Sequence, residues 1–324
     1  MERETGTETE VALPETLAER QAVEEAYYRR WTFLGMGERG RFIACLLLPA
    51  VLVMLCFQII PIIMGFNASL RRWSLWEDEY PFIGLWNYRE LFHNTHFWTT
   101  VMGNTFLYMF VTVAGGLIAG LAIAVLLNRR FPGMNLVRTI VILPLTVAPV
   151  VTAIMVTWML NSEFGIINVF LKWLGFKPIL FLVSRWWSLA VVMLTDIWLQ
   201  TPFYTVIILA ALQTLPPEPH EAARVDGANS WQVFRKVTLP LLRPVMLVCI
   251  VIRAIDAFRT FDLVWTITRG EPARMTETFS LFAYREAFEF GNVDMGVAAS
   301  MVGAVIIMVI GILLYKGMYY LSEL

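Results

Sequence analysis

The stretch Glu221–Pro244, EAARVDGANSWQVFRKVTLPLLRP, is a polar, charged island between two long apolar runs. Glu221, Ala222, Ala223 and Arg224 are good helix formers, and Pro219 ahead of them suits a first turn, where its missing N–H costs nothing. Asp226-Gly227 breaks the run, because glycine accepts the backbone angles that end a helix. Asn229 with Gln232 three residues on has the spacing of a reciprocal cap for a second helix. Trp231, Val233, Phe234 and Val237 give that helix an apolar side, and Pro240 and Pro244 are expected to limit its continuation. The pattern reads helix, turn, helix. Taken alone, it fits an ordinary solvated loop between two membrane helices equally well.

The runs on either side decide the class. The chain has 324 residues, 58% of them hydrophobic and 16% charged, and a mean hydropathy of +0.63. Soluble domains carry roughly 25% charged residues, so this chain lacks the charge to cover a soluble surface. A formal net charge of -1 offers nothing to nucleic acid. Six runs reach the ~20 apolar residues that a membrane helix requires: 42–66, 101–127, 139–160, 186–212, 245–267 and 293–315. The expected fold is all-α and polytopic, with the segment 214–244 between the fourth and fifth spans. Gly116, Gly120 and Ala124 form a small-residue face on the second span, suited to close helix approach. Pro49 and Pro61 are expected to kink the first span, and Pro144 and Pro149 interrupt the third.

Residues 1–40 form a polar tail without an apolar core, so no cleavable signal peptide is expected. Arg29, Arg30, Arg39 and Arg41 next to the first span favour a cytoplasmic tail, and the basic turn Asn128–Arg138 agrees. Arg71, Arg72, Lys172, Lys177, Arg269 and Arg274 then fall outside, so the charge bias is modest. With six spans both termini are cytoplasmic, and so is the segment at Glu221. Residues 161–185 read as an external loop with interfacial pieces. Cys45, Cys56 and Cys249 all lie in apolar runs, where small buried hydrophobes are the expectation.

No catalytic or metal-ligating constellation stands out: His93, His96 and His220 are scattered, and the chain has no G-x-x-x-x-G-K-[S/T] phosphate cradle. The chain is therefore expected to bind no nucleotide of its own, and any ATPase that powers it must be another chain. Ionisable groups inside spans default to functional roles. Arg253, Asp256 and Thr260 share a helical face of the fifth span; pairing of Arg253 with Asp256 to lock the helices is an equal alternative. In the fourth span Asp196 needs a structural partner. Gln200 beside Pro202 can contact a solute, with Tyr204 and, more weakly, Trp158. Amides and aromatics suit sugars, which offer hydroxyls and C–H faces.

The string E-A-A-x-x-D-G-A, then Phe234 and L-P-x-x-x-P at Leu239–Pro244, resembles the coupling loop of binding-protein-dependent ABC import permeases. F-I-G-L-W-N-Y (Phe82–Tyr88), A-F-R-T-F-D-L-V (Ala257–Val264), T-R-G-E-P (Thr268–Pro272), T-E-T (Thr276–Thr278) and Y-R-E-A-F (Tyr284–Phe288) are similar to the carbohydrate-uptake branch, over about residues 40–320. Glu271 departs from that branch's usual Gly-Gly-Pro. The resemblance implies the type I ABC importer permease fold and a place in a bacterial cytoplasmic membrane. It implies a heterodimer with a second permease, two ABC ATPase subunits carrying ATP and Mg, and an extracytoplasmic solute-binding protein. It assigns ATPase coupling to Glu221, Ala222, Ala223, Asp226, Gly227 and Pro240. Sugar contact falls to Gln200, Arg253, Ala257 and Thr260, and Arg253, unless consumed by Asp256, would favour an anionic sugar. Two rivals are an ion-coupled secondary transporter using Asp196 or Asp256, and an ABC permease for a non-sugar solute.

Overall fold

The computed structural model describes residues 38–76, 79–129 and 132–322; the tail expected over 1–40 lies almost wholly outside them. The chain divides into two units, one ending at Gly65 and one beginning at Phe66. The first contains most of helix α1 (Phe42–Ser69). Cys45 and Cys56 on it are exposed, and of the three cysteines Cys249 alone is buried. On an apolar membrane helix a thiol facing lipid tails loses nothing by exposure, which is why burial does not follow from an apolar run.

The second unit begins with the short α2 (Trp86–His93), held by Asn87, whose Nδ2 donates to the Ser69 carbonyl at 2.8 Å and the Arg71 carbonyl at 3.0 Å. Next come α3 (Phe97–Leu127), α4 (Met134–Ile142), α5 (Pro149–Met159), α6 (Ile166–Trp173) and α7 (Arg185–Thr214). The helices α8 (Glu218–Val225), α9 (Ser230–Phe258), α10 (Asp262–Ile267), α11 (Phe279–Tyr284) and α12 (Val293–Ser322) complete it.

Three expectations need correction. The third span, 139–160, is a pair of helices meeting at 98°. Ala148, the residue before Pro149, is extended (φ -62, ψ 137), because the proline ring disfavours the helical region for its predecessor. The fifth span begins upstream of 245 and ends at Phe258, and Thr260 lies in the turn before α10 rather than on a helical face. Nor do Pro240 and Pro244 limit the helix that contains them. Pro240 and Pro244 lie inside α9, and Pro61 lies inside α1. In both helices a π turn ends two residues before a proline, at Leu55–Ile59 before Pro61 and at Phe234–Thr238 before Pro240. A helical proline clashes with the carbonyl four residues back, here Phe57 and Lys236. Both carbonyls belong to the widened turns, where the clash is relieved without breaking the helix.

The frame of the unit is α3 against α7. A Cβ built on Gly116 would lie 2.6 Å from the Tyr204 ring, and one on Gly120 would run into the Tyr204 side chain and the Thr205 backbone. The small-residue face is therefore the seat of Tyr204, which is fully buried and donates its hydroxyl to the Val113 carbonyl at 3.3 Å. Tyr108, Leu189, Val192, Ala254, Ala257 and Val264 extend this core across α3, α7, α9 and α10. Leu91, Phe97, Phe258, Phe279 and Phe282 build a second cluster towards the start of α3.

A buried ion pair ties α7 to α9: Arg253 Nη2 donates to Asp196 Oδ2 at 2.9 Å, with side-chain exposures of 7% and 6%. Taking one partner from such a pair strands a buried charge, at a cost of about 3–5 kcal/mol, whereas removing both charges is far milder. Arg253→Gln is expected to lower thermal stability in detergent severely, and adding Asp196→Asn should restore most of it. Equal losses in the single and double variants would contradict this. Gly120→Val should cost about 1–3 kcal/mol through overpacking against Tyr204, read as a lower unfolding temperature that Gly103→Val, with open space around it, does not share.

Candidate functional site

The ion pair continues outward as a chain of alternating charge. Asp256 Oδ2 lies 3.7 Å from Arg253 Nη1, and Arg259 Nη2 donates to Asp256 Oδ1 at 2.8 Å. Exposure rises along it, to 38% for Asp256 and 68% for Arg259. These residues line a cavity of about 360 Å³ together with Gln200, Ala257, Thr260 and Asp262. Five of the residues singled out from the sequence, Gln200, Arg253, Asp256, Ala257 and Thr260, thus meet in one place, and Thr260 also faces the Tyr108 hydroxyl at 3.4 Å.

Two others do not join them. Tyr204 is sealed between α3 and α7 and is a packing residue here. Trp158 lines a separate hollow of about 330 Å³ with Thr157, Trp265 and Arg269. The expectation for Arg253 also changes. Its guanidinium is consumed chiefly by Asp196, a partner on another helix, and only secondarily by Asp256. Formally the cavity carries three carboxylates (Asp196, Asp256, Asp262) against two guanidiniums (Arg253, Arg259). It holds no uncommitted cation for an anionic solute.

At one end of α7 the polar island folds into α8, a turn and the start of α9. Gly227 turns the chain with φ 81, and a side chain there would be strained. The reciprocal cap forms: Gln232 N–H donates to Asn229 Oδ1 at 2.9 Å and Asn229 N–H to Gln232 Oε1 at 2.8 Å. Ala223 and Pro240 are half-buried, while Glu221, Ala222, Asp226 and Gly227 are exposed, and so is Val225 at 87%. The segment presents a firm helical knob with an acidic and small-residue face.

A second polar assembly, at the other end of α3, was not anticipated. Glu277 is fully buried; Arg274 Nε donates to its Oε2 at 3.0 Å, and His96 Nε2 lies 2.9 Å away. Asn104 of α3 donates to the carbonyls of Met275 at 2.8 Å and Glu277 at 3.0 Å, and Arg185 of α7 donates to Asn104 Oδ1 at 3.1 Å. Burial pushes the nearby Glu286 carboxyl above its usual range, opposed by Asn292 and Arg274. The T-R-G-E-P and T-E-T strings marked this loop as patterned, but nothing in their spacing named His96 as a partner.

Residues 113–323 match the family described as binding-protein-dependent transport system inner membrane component. The trehalose/maltose transport system permease protein of Thermococcus litoralis is 35% identical over 81% of this chain and 88% of its own length. The sulfoquinovosyl glycerol transport system permease protein of Agrobacterium fabrum is 34% identical over 86% and 91%. A bacterial ABC transporter involved in import of the acidic polysaccharide alginate superposes with a TM-score of 0.77 at 25% identity, over 87% of this chain and 96% of that one. The ion-coupled alternative is set aside with these matches. The chain belongs to the binding-protein-dependent transport system inner membrane components, as a permease subunit of an ABC importer rather than an enzyme.

Proposed function

We propose that this permease imports an uncharged, hydroxyl-rich sugar or polyol by alternating access, with the cavity at Gln200 and Thr260 as its solute contact. The observation that carries the proposal is the lining itself: an amide, a hydroxyl and a self-neutralised Asp–Arg chain, with no cation left to select an anion. Relatives named for trehalose and maltose support the class. The similar structure titled for import of the acidic polysaccharide alginate has the same fold, so the distinction rests on the charges at this site. A neutral solute gains orientation from directional hydrogen bonds without disturbing the buried pair.

In this reading the chain occupies a bacterial cytoplasmic membrane with both termini inside and spans over 41–324. The segment 214–244 docks on an ABC ATPase pair through Glu221, Ala222, Ala223, Asp226 and Gly227. Pro240 and its π turn carry the motion into α9. A second permease completes the pathway, and a solute-binding protein delivers from outside. A periplasmic protein accompanies the related alginate transporter. ATP and Mg act on the ATPase subunits.

The test is uptake by the reconstituted importer with its binding protein. Glu221→Lys is expected to abolish ATPase association and uptake while leaving the permease folded; retained association and transport would refute the docking assignment. Gln200→Ala should raise the KM for uptake about 2- to 10-fold, the loss of one hydrogen bond. An unchanged KM would remove the cavity from the solute path.

A further inference from the structure

The coupling segment also walls a groove that its docking role leaves unused. Ile118, Leu121, Ala122 and Val125 of α3 stand at i, i+3, i+4 and i+7, an apolar stripe two turns long. The next turn of the same face carries Asn128 and Arg129. Opposite lie His220 and Arg224, one turn apart on α8, and Trp231 at the start of α9. Together these residues line a groove of about 1010 Å³. His220 and Arg224 occupy the face of α8 turned away from Ala222 and Val225, so an ATPase on the outer face leaves the groove free.

The groove's chemistry is graded along its length. The stripe on α3 is open, with Ile118 68% exposed, and it suits an acyl chain. At the other end are two guanidiniums. Among the described residues, neither Arg129 nor Arg224 forms an ion pair, and no carboxylate lines the groove. His220 is already engaged, with Nε2 3.1 Å from Thr238 Oγ1 and Nδ1 3.3 Å from the Pro216 carbonyl. Trp231, 66% exposed, also lines the groove, and tryptophan is the residue type that favours a bilayer's headgroup region. A helix of a neighbouring subunit would cover the apolar stripe but leave both guanidiniums unmatched. A phosphodiester carries the missing charge, and basic pockets between spans on the cytoplasmic side suit such headgroups.

We propose that this groove binds an anionic phospholipid, its headgroup between Arg129 and Arg224 and an acyl chain along Ile118–Val125. The lipid would brace α8 against α3 from behind, firming the knob that meets the ATPase.

The test uses the assembled importer, delipidated in detergent, exposed to phosphatidylglycerol or phosphatidylcholine, with retained lipid read by native mass spectrometry. Wild type is expected to retain phosphatidylglycerol preferentially. Arg129→Gln and Arg224→Gln should each weaken retention about fivefold, the attraction of one basic side chain near the headgroup. Arg224→Lys should keep it, since a phosphate accepts a point charge. Ala122→Phe, which fills the stripe, should displace the lipid without touching a charge. Arg129→Gln lies outside the coupling segment and decides the matter if the Arg224 variant fails to assemble. Equal retention of the two lipids would overturn the proposal, as would unchanged retention in Arg129→Gln. So would high-yield crosslinking of Ala122→Cys to the partner permease, which would give the groove to protein.

Discussion

The pairing of Asp196 with Arg253 is the constraint on which the rest of the bundle depends. Two charges nearly excluded from solvent can persist in a membrane protein only when held within hydrogen-bond distance of each other, and a 2.9 Å contact fixes the azimuth and depth of α7 against α9. Once those helices are set, Ala257 joins the same buried cluster as Leu263 and Val264, Gln200 and Thr260 line the cavity, and Asp256 is left half-exposed with Arg259 as counterion. The small-residue face of α3 supplies the other boundary by letting Tyr204 sit flush, so that the polar chain emerges on the cavity side only.

How much of this could be read beforehand differs by element. The helix–turn–helix at Glu221 was legible to the level of its cap, because Gly227, Asn229 and Gln232 act locally and their chemistry is written within a few residues. The gathering of Gln200, Arg253, Asp256 and Thr260 was legible through the cost of polar groups inside apolar runs, whereas Ala257, which is apolar, was marked only by the family resemblance. The identity of Arg253's main partner was not, because Asp196 lies 57 residues away and helix periodicity carries no information about which face meets which. The assembly around Glu277 escaped for the same reason: His96 is 181 residues distant. Tyr204 misled in the opposite sense, since an aromatic near a polar stretch looks like a ligand contact until the glycines opposite it are seen to be its socket.

The two ends of α3 divide the labour of the permease. At one, Asn104, Glu277, Arg274 and Arg185 knit a non-helical loop onto α3 and α7 with directional hydrogen bonds, giving a rigid rim. At the other, α8 and the first turn of α9 make a knob closed by the reciprocal Asn229–Gln232 cap. The cavity has residues of both α7 and α9 in its lining, so the two helices joined by the knob both border it.

The π turn before Pro240 has a geometric consequence. A π turn holds one residue more than an α turn, and each residue of an α-helix advances about 100° around the axis. Everything beyond Thr238 is therefore rotated by about that step relative to an uninterrupted helix begun at Ser230. A wheel drawn straight through α9 would carry Arg253 away from α7 and leave Asp196 without its counterion. The inserted residue thus brings the face of α9 that carries Arg253 into phase with the face of α7 that carries Asp196.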